Sequence, residues 1–277
     1  MPRRAAAFPT HQRSRGGAAL RFAVARGETR LADLHQAAPM RVLFPTPEPG
    51  EPPLAALVNT AGGLAGGDEV RVDVALGPGA HGCVSTPAAE KVYRSLGPET
   101  RIAARLEVGE GATLEWLPQE TILFDGARLT RRLDVELAPG ATLLLAEMLV
   151  FGRHARGEAL REGSLLDTWR LRRGGSLAWA DGLALGEGMR ERLDAPFGFA
   201  GAEACATLLV TSDAPLQAAR DAARKAGAAA TLPRPGLMVL RWLGGSAEVR
   251  DGMAGAIRLL RARVLGAAPV LPRLWTC

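Results

Sequence analysis

The stretch Val70-Arg-Val-Asp-Val-Ala-Leu76, followed by Gly77-Pro-Gly-Ala80, decides the fold class of this chain. Its apolar residues alternate with polar or small ones, which is the two-residue period of a strand with one buried face. Pro followed by Gly at the centre of four residues is typical of a type II turn, because Pro fixes φ and Gly accepts positive φ. The sequence therefore predicts a strand that ends in a tight turn.

The same strand and turn recur along the chain. The third-position glycines of four similar turns are spaced 29 to 35 residues apart: Gly79, Gly111, Gly140 and Gly175. A second apolar run follows each turn, as at residues 142–146. Because one hairpin cannot bury its own apolar face, we expect these units to stack. The chain is predicted to be mainly β, with helically stacked strands or hairpins in two packed sheets; an ordinary antiparallel sandwich is the alternative.

About two α-helices are predicted in the C-terminal third. Residues 213–227 begin with Asp and an early Pro and end in basic residues and Gly, which are helix start and stop signals. Residues 251–266 carry apolar side chains at spacings of three and four, the pattern of a helix with one buried face. The run Leu237–Leu243 between them is predicted to be a buried strand.

Composition indicates a globular chain of 277 residues, 47% of them hydrophobic. Four Arg and no acid lie in residues 1–17, which we expect to be a disordered basic leader. Residues 18–277 are expected to form a single β-rich domain, since no linker rich in Gly, Ser or Pro divides them. That part carries 30 basic and 29 acidic side chains, so its charge does not call for a nucleic-acid partner.

The cysteines and the hydropathy bear on location. Three cysteines without a CxxC pair favour a reducing cytoplasm over a secreted disulfide framework. No stretch approaches the roughly 20 apolar residues that a membrane helix needs. The protein is therefore expected to be cytoplasmic, without a membrane partner.

A glycine-rich run precedes the first alternating strand: Leu57-Val-Asn-Thr-Ala-Gly-Gly-Leu-Ala-Gly-Gly-Asp68. A phosphate loop needs Lys and Ser or Thr next, and then a helix. Here Asp68 and Glu69 would repel phosphate, and a strand follows. We interpret Gly62, Gly63, Gly66 and Gly67 as a sharp bend that starts the strand stack.

Carboxylates recur after the strand-and-turn units or beside glycines. Five of them are candidates for an internal polar path: Asp68, Glu120, Glu147, Glu158 and Asp181. If the units stack, such acids form a track that binds or passes a divalent cation weakly through oxygen ligands. Two of them could instead serve as the acid and base of a glycosidase. Surface acids at strand ends are the simplest interpretation for any single one.

Other polar residues give weaker signals. Four residues stand beside apolar runs: Lys91, Tyr93, Arg94 and Arg153. Since a buried Arg needs a carboxylate to pair with, we expect these residues to brace the path or contact a partner protein. His81 and Cys83 lie on one face of a strand and are weak metal candidates; a turn-edge His and a small buried Cys are the alternative. The sequence contains no HExxH or GxSxG motif and indicates no catalytic residue.

Several of these stretches together resemble the urease accessory protein family UreD, also called UreH. The matching segments are residues 57–68, 86–95, 117–127, 147–158 and the closing Pro272–Trp275. Residues 1–17 lie outside the resemblance, and the His81–Cys83 pair is not part of the family pattern. The order and spacing of the matching segments make the resemblance specific.

The resemblance implies a helical stack of β-strands with two helices and a non-catalytic role. UreD-like proteins join UreF-like and UreG-like partners, the latter hydrolysing GTP, on the urease apoprotein and help to install nickel. The resemblance also implies an internal nickel tunnel, with transient nickel(II) and no tightly bound cofactor. A nickel-insertion scaffold and conduit is therefore the leading hypothesis.

Two alternatives belong to other classes. One is a β-stacked glycoside hydrolase that uses two of the carboxylates, although an aromatic content of 5% offers few sugar platforms. The other is a plain structural interaction protein.

Overall fold

The computed structural model describes residues 13–276, in which two β-sheets pack face to face. The first sheet has seven strands: β1 (Arg15–Ala25), β2 (Glu28–Ala37), β5 (Glu69–Leu76), β8 (Thr100–Val108), β11 (Arg128–Leu137), β14 (Ser164–Arg173) and β15 (Ser176–Leu185). The second has eleven: β3 (Met40–Leu43), β4 (Leu54–Asn59), β6 (His81–Ser85), β7 (Glu90–Val92), β9 (Thr113–Leu117), β10 (Thr121–Leu123), β12 (Thr142–Arg153), β13 (Glu158–Ala159), β16 (Ala204–Thr211), β17 (Ala229–Arg234) and β18 (Leu237–Gly244). The spatial order is β15-β14-β11-β8-β5-β1-β2 in the first sheet and β17-β18-β16-β12-β9-β6-β4-β3 along the second.

The chain winds between the sheets as a coil. Strands β5, β8, β11 and β14 pair in parallel in the first sheet. Their successors β6, β9 and β12 pair in parallel in the second. Each repeat therefore contributes one strand to each sheet, and the prediction of a mainly β, helically stacked chain with two packed sheets is confirmed.

The recurring turns join the two sheets and do not close hairpins, which differs from the hairpin form of the prediction. In the first three turns only one central residue has positive φ: Gly79 (67°), Gly111 (62°) and Gly140 (72°). Such type II turns splay the strands that they join, so these strands enter opposite sheets. The turns stack on each other instead: the Gly79 N–H donates to the Glu110 carbonyl at 2.8 Å.

The fourth turn does form a hairpin. Gly174 and Gly175 both have positive φ, at 55° and 78°, as a type I′ turn requires. The twist of that turn matches the twist of paired strands, and β14 accordingly pairs antiparallel with β15. Two adjacent glycines thus end the coil.

Three helices belong to the C-terminal part of the described chain: α1 (Met189–Asp194), α2 (Gln217–Lys225) and α3 (Ser246–Leu260). The two predicted helices correspond to α2, which begins four residues later than predicted, and α3, which begins five residues earlier. Their apolar faces pack on the outer face of the second sheet. The predicted buried strand is β18. Among residues 13–276, no helix is both long and apolar enough to cross a membrane.

The predicted leader overlaps the first strand. Strand β1 begins at Arg15, so residues 15–17 of that leader belong to the first sheet. Residues 1–12 lie outside the described part of the chain, as does Cys277.

Between the sheets, a polar layer separates two apolar clusters. One cluster includes Leu129, Leu149 and Leu165, and the other includes Leu133, Leu145 and Trp169. Because alternate residues of a strand share a face, the residues between these pairs also point inward. They are Arg131 on β11, Glu147 on β12 and Asp167 on β14.

Candidate functional site

Arg131, Glu147 and Asp167, here named the central triad, join the two sheets through a buried ion network. Arg131 and Asp167 are register partners on neighbouring strands of the first sheet. The Arg131 guanidinium donates from Nε and Nη2 to both oxygens of Asp167, at 2.9 and 2.6 Å. Its Nη1 donates across the interior to Glu147 Oε2 at 2.6 Å. The three side chains are each less than a tenth exposed and carry a net charge of −1.

Two indole groups complete the hydrogen bonding of the triad. Trp116 Nε1 donates to Glu147 Oε1 at 2.8 Å, and Trp169 Nε1 donates to Asp167 Oδ1 at 3.2 Å. Burial raises the pKa of Glu147, while the Arg131 charge and the Trp116 hydrogen bond oppose that rise. Charged partners are what make such a buried carboxylate tolerable.

A cavity of about 470 Å³, here named the outer cavity, adjoins the triad. Its far wall is the ion pair of Asp181 on β15 with Arg241 on β18, which again connects the two sheets and is partly exposed. Cys205 also lines this cavity, and burial raises the pKa of its thiol to about 12. The thiol therefore stays protonated near neutral pH, and carboxylates supply the negative charge.

A second cavity of about 90 Å³, here named the inner cavity, lies on the other side of the triad. Arg131 and Glu147 line both cavities. Glu90 lines the inner cavity and accepts hydrogen bonds from Asn59 Nδ2 at 3.0 and 3.1 Å. Burial raises the pKa of Glu90 to about 7, against the opposing effect of the Asn59 hydrogen bond. The interior thus presents a line of carboxylates from Asp181 through the triad to Glu90.

The structure brings together two of the five predicted path acids. Glu147 and Asp181 line the outer cavity. Asp68 instead accepts backbone N–H groups of Ser14 and Ala65, both at 2.8 Å. Glu120 pairs with Arg250, and Glu158 pairs with Arg153. Among residues 13–276, no group of three or more His, Cys, Asp or Glu is arranged to hold a metal ion.

The glycine bend, Gly62–Gly67, lies against β7, which carries Lys91, and against Tyr93, which follows that strand. The Leu64 N–H donates to the Lys91 carbonyl at 2.7 Å, and the Tyr93 hydroxyl donates to the Gly62 carbonyl at 2.8 Å. A Cβ at Gly63 would lie 2.6 Å from the Tyr93 ring. A Cβ at Gly66 would lie 2.1 Å from Ser95 Oγ and 2.6 Å from the Pro98 carbonyl oxygen. Close approach of the next coil therefore requires glycine at these two positions.

The other predicted bracing residues continue this stack. Arg94 pairs with Asp125 at 2.6 Å, and Tyr93 packs edge-on against Phe124 with ring centroids 5.0 Å apart. The guanidinium of Arg153 lies 4.2 Å from the centroid of the same Phe124 ring. The structure thus gathers Lys91, Tyr93, Arg94 and Arg153 at the end of the coil that holds the glycine bend.

The weak metal pair His81 and Cys83 lies beside a second buried ion network. His81 Nε2 is 2.9 Å from Glu115 Oε1, and Arg261 Nε donates to Glu115 Oε2 at 2.7 Å. Burial and the Glu115 charge raise the pKa of the Cys83 thiol well above its ordinary value. A metal ligand needs the thiolate, so this environment disfavours metal binding at Cys83.

Sequence reasoning missed Arg131, Asp167, Glu115 and Arg261. A signal was present for two of them. Arg131 stands between Leu129 and Leu133, and Asp167 between Leu165 and Trp169, so each occupies an inward position of an alternating strand. A charged residue in such a register marks a buried polar contact. Arg261 and Glu115 are 146 residues apart, and the sequence carries no signal that pairs them.

Comparisons with known proteins give one family. The sequence profile described as UreD urease accessory protein matches residues 14–276. A urease accessory protein UreD of Granulibacter bethesdensis is 48% identical over 240 residues, which is 84% of this chain and 99% of the relative. A urease accessory protein UreD 1 of Methylobacterium radiotolerans is 47% identical over 280 residues, which is 99% of this chain and 96% of the relative. The chain therefore belongs to the UreD family of urease accessory proteins.

Proposed function

We propose that this protein acts in urease maturation as a non-catalytic scaffold and as a conduit for divalent nickel. In this proposal it docks UreF-like and UreG-like proteins on the urease apoprotein, and nickel passes transiently through its interior. Family membership supports the role in urease maturation. The observation that carries the conduit is the line of carboxylates between the two sheets, buried at Glu147 and Asp167, with a cavity on each side of Glu147.

The chemistry of this interior fits a passing cation better than a stored one. Oxygen ligands of the carboxylate type bind borderline metals weakly compared with thiolate or imidazole sets. The three acids that line the outer cavity, Glu147, Asp167 and Asp181, are all paired with arginines, so none is a free acid or base for hydrolysis. The relatives carry the name of accessory proteins, and this assignment disfavours the glycoside-hydrolase alternative.

The bracing residues supply a candidate docking surface for the scaffold role. Arg94 and Arg153 are about half exposed at the end of the coil, and the glycine bend lies beside them. We propose that a partner of the accessory complex or urease contacts this end. Reversing the charge of Arg94 should then reduce co-purification of partners while the isolated chain keeps its fold.

The conduit is tested in cells that express the complete urease operon with Glu147→Gln or Asp181→Asn in this chain. The matched control is Asp134→Asn, since Asp134 lies on the exposed face of β11 and pairs there with Arg132. At limiting nickel, urease activity and nickel content per urease should fall several-fold for the two interior variants only. Excess nickel should restore them, and co-purification of partners should be unchanged. Undiminished activation at limiting nickel by both interior variants contradicts the conduit.

A further inference from the structure

Arg131 stands where the outer and inner cavities meet. Arg131 and Glu147 are the two residues that line both cavities. Apolar clusters flank the triad on both sides along the strands. A cation that moves from Asp181 to Glu90 through the two cavities would pass the Arg131 guanidinium, since both cavities border it.

In the observed arrangement the guanidinium closes this passage. It occupies both oxygens of Asp167 and one oxygen of Glu147, and Trp116 occupies the other oxygen of Glu147. An incoming dication meets a fixed positive charge at hydrogen-bond distance from the ligands that it needs. Repulsion between like charges is strong in a buried site, where water screens it poorly.

We propose that Arg131 is the gate residue of the interior passage, and that a divalent cation opens it by replacing the guanidinium between Glu147 and Asp167. This inference rests on the proposed conduit function. The two carboxylates together carry −2, which matches the charge of a divalent cation once the guanidinium has withdrawn. The outer cavity borders Arg131 and gives its side chain room to withdraw.

The gate explains why the passage does not trap its cargo. Two buried carboxylates without a competing cation would hold a dication more tightly than the same pair with the guanidinium beside it. Because the guanidinium returns to both carboxylates by a bidentate and a single hydrogen bond, it competes for them and promotes release. The Arg131 side chain thereby balances binding and release of the divalent cation.

The test uses the full chain in complex with its accessory partners, with Arg131→Gln and Arg131→Lys as variants. Arg128→Lys is the matched control, because Arg128 is an exposed residue of β11 that lines neither cavity. Nickel chloride is titrated into each complex by calorimetry, and nickel transfer to urease is measured at limiting nickel. Circular dichroism and co-purification report folding.

For Arg131→Gln we expect nickel affinity to rise at least about tenfold, because one buried positive charge beside the carboxylates is removed. Transfer to urease should fall at the same time. Arg131→Lys keeps the charge but loses the bidentate geometry, and should shift both quantities in the same directions by a smaller factor. A purely structural role predicts that affinity and transfer fall together.

Nickel affinity within twofold of the parent for the folded variants overturns the gate. If Arg131→Gln does not fold, Arg131→Lys decides alone by the same criterion. Failure of the conduit itself is distinguishable, since Glu147→Gln would then leave transfer unchanged as well. A gate that fails while Glu147→Gln still lowers transfer leaves the conduit standing.

Discussion

Arg261→Met should be one of the most destabilising substitutions in this protein. Arg261 is 1% exposed, and it donates to Glu115, which is fully buried, at 2.7 Å. It also donates to the carbonyls of Ala268 and Val270, at 3.1 and 2.6 Å, and pairs with Glu51. Through these contacts one side chain holds the C-terminal segment against β9.

Removing this cation leaves the Glu115 carboxylate buried without its strongest partner. Loss of one member of a buried ion pair costs about 3–5 kcal/mol. The double variant Arg261→Met with Glu115→Met removes the stranded charge and replaces the pair by apolar side chains. It should be more stable than Arg261→Met alone by about 2 kcal/mol, since buried ion pairs exchanged for apolar groups are often close to neutral.

Equilibrium urea unfolding followed by tryptophan fluorescence measures both values. Arg258→Met is the matched control, because Arg258 lies on the exposed side of α3; it should stay within about 0.5 kcal/mol of the parent. A loss below about 1 kcal/mol for Arg261→Met, or a double variant no more stable than the single one, refutes the reasoning.

Three further predictions concern the inner cavity, the glycine bend and the exposed pair of Arg153 with Glu158. The pKa of Glu90 is raised to about 7, so the folded state favours its protonated form. Protonation of Glu90 therefore contributes to the free energy of unfolding below about pH 4.5, and this contribution is lost as pH rises through 7. Glu90→Gln should therefore be up to about 3 kcal/mol more stable than the parent at pH 8 and equal to it near pH 4.5, by urea unfolding; equal stability at pH 8 contradicts this. Gly66→Ala should lower the free energy of unfolding by about 1–3 kcal/mol, because its Cβ meets the Pro98 carbonyl. Gly255→Ala, in open space on α3, should raise the free energy of unfolding by about 0.5–1 kcal/mol. Arg153→Met should leave the midpoint of thermal unfolding nearly unchanged, since its ion pair is 42% exposed on the Arg side, and a marked fall of that midpoint contradicts this.

Local patterns identified the repeating unit because they depend on neighbouring residues alone. Alternation over Val70–Leu76 and a Pro-Gly turn are short-range signals, and both elements are present. The same signals did not separate a hairpin from a coil. That choice rests on whether one or both central residues of the turn have positive φ, as the contrast between Gly79 and the Gly174–Gly175 pair shows.

The candidate path was predictable in kind but only partly in membership. The sequence indicated Glu147 and Asp181, yet three other acids of the same pattern turned out to be engaged at surfaces and turns. Because the coils stack, residues in contact are about one coil apart along the chain: Trp116 and Glu147 are 31 residues apart, as are Arg94 and Asp125. Without the stack, no rule assigns one acid to another.

The sequence by itself determined the strands, the turns, the two main helices and the family, since these depend on local pattern and on the order of motifs. Only the tertiary structure decided which charges meet in the interior. Arg131 and Glu147 belong to opposite sheets, and their contact exists because the coil brings those sheets together. An ion pair of this kind depends on distance in space, which the spacing of residues along a chain does not fix.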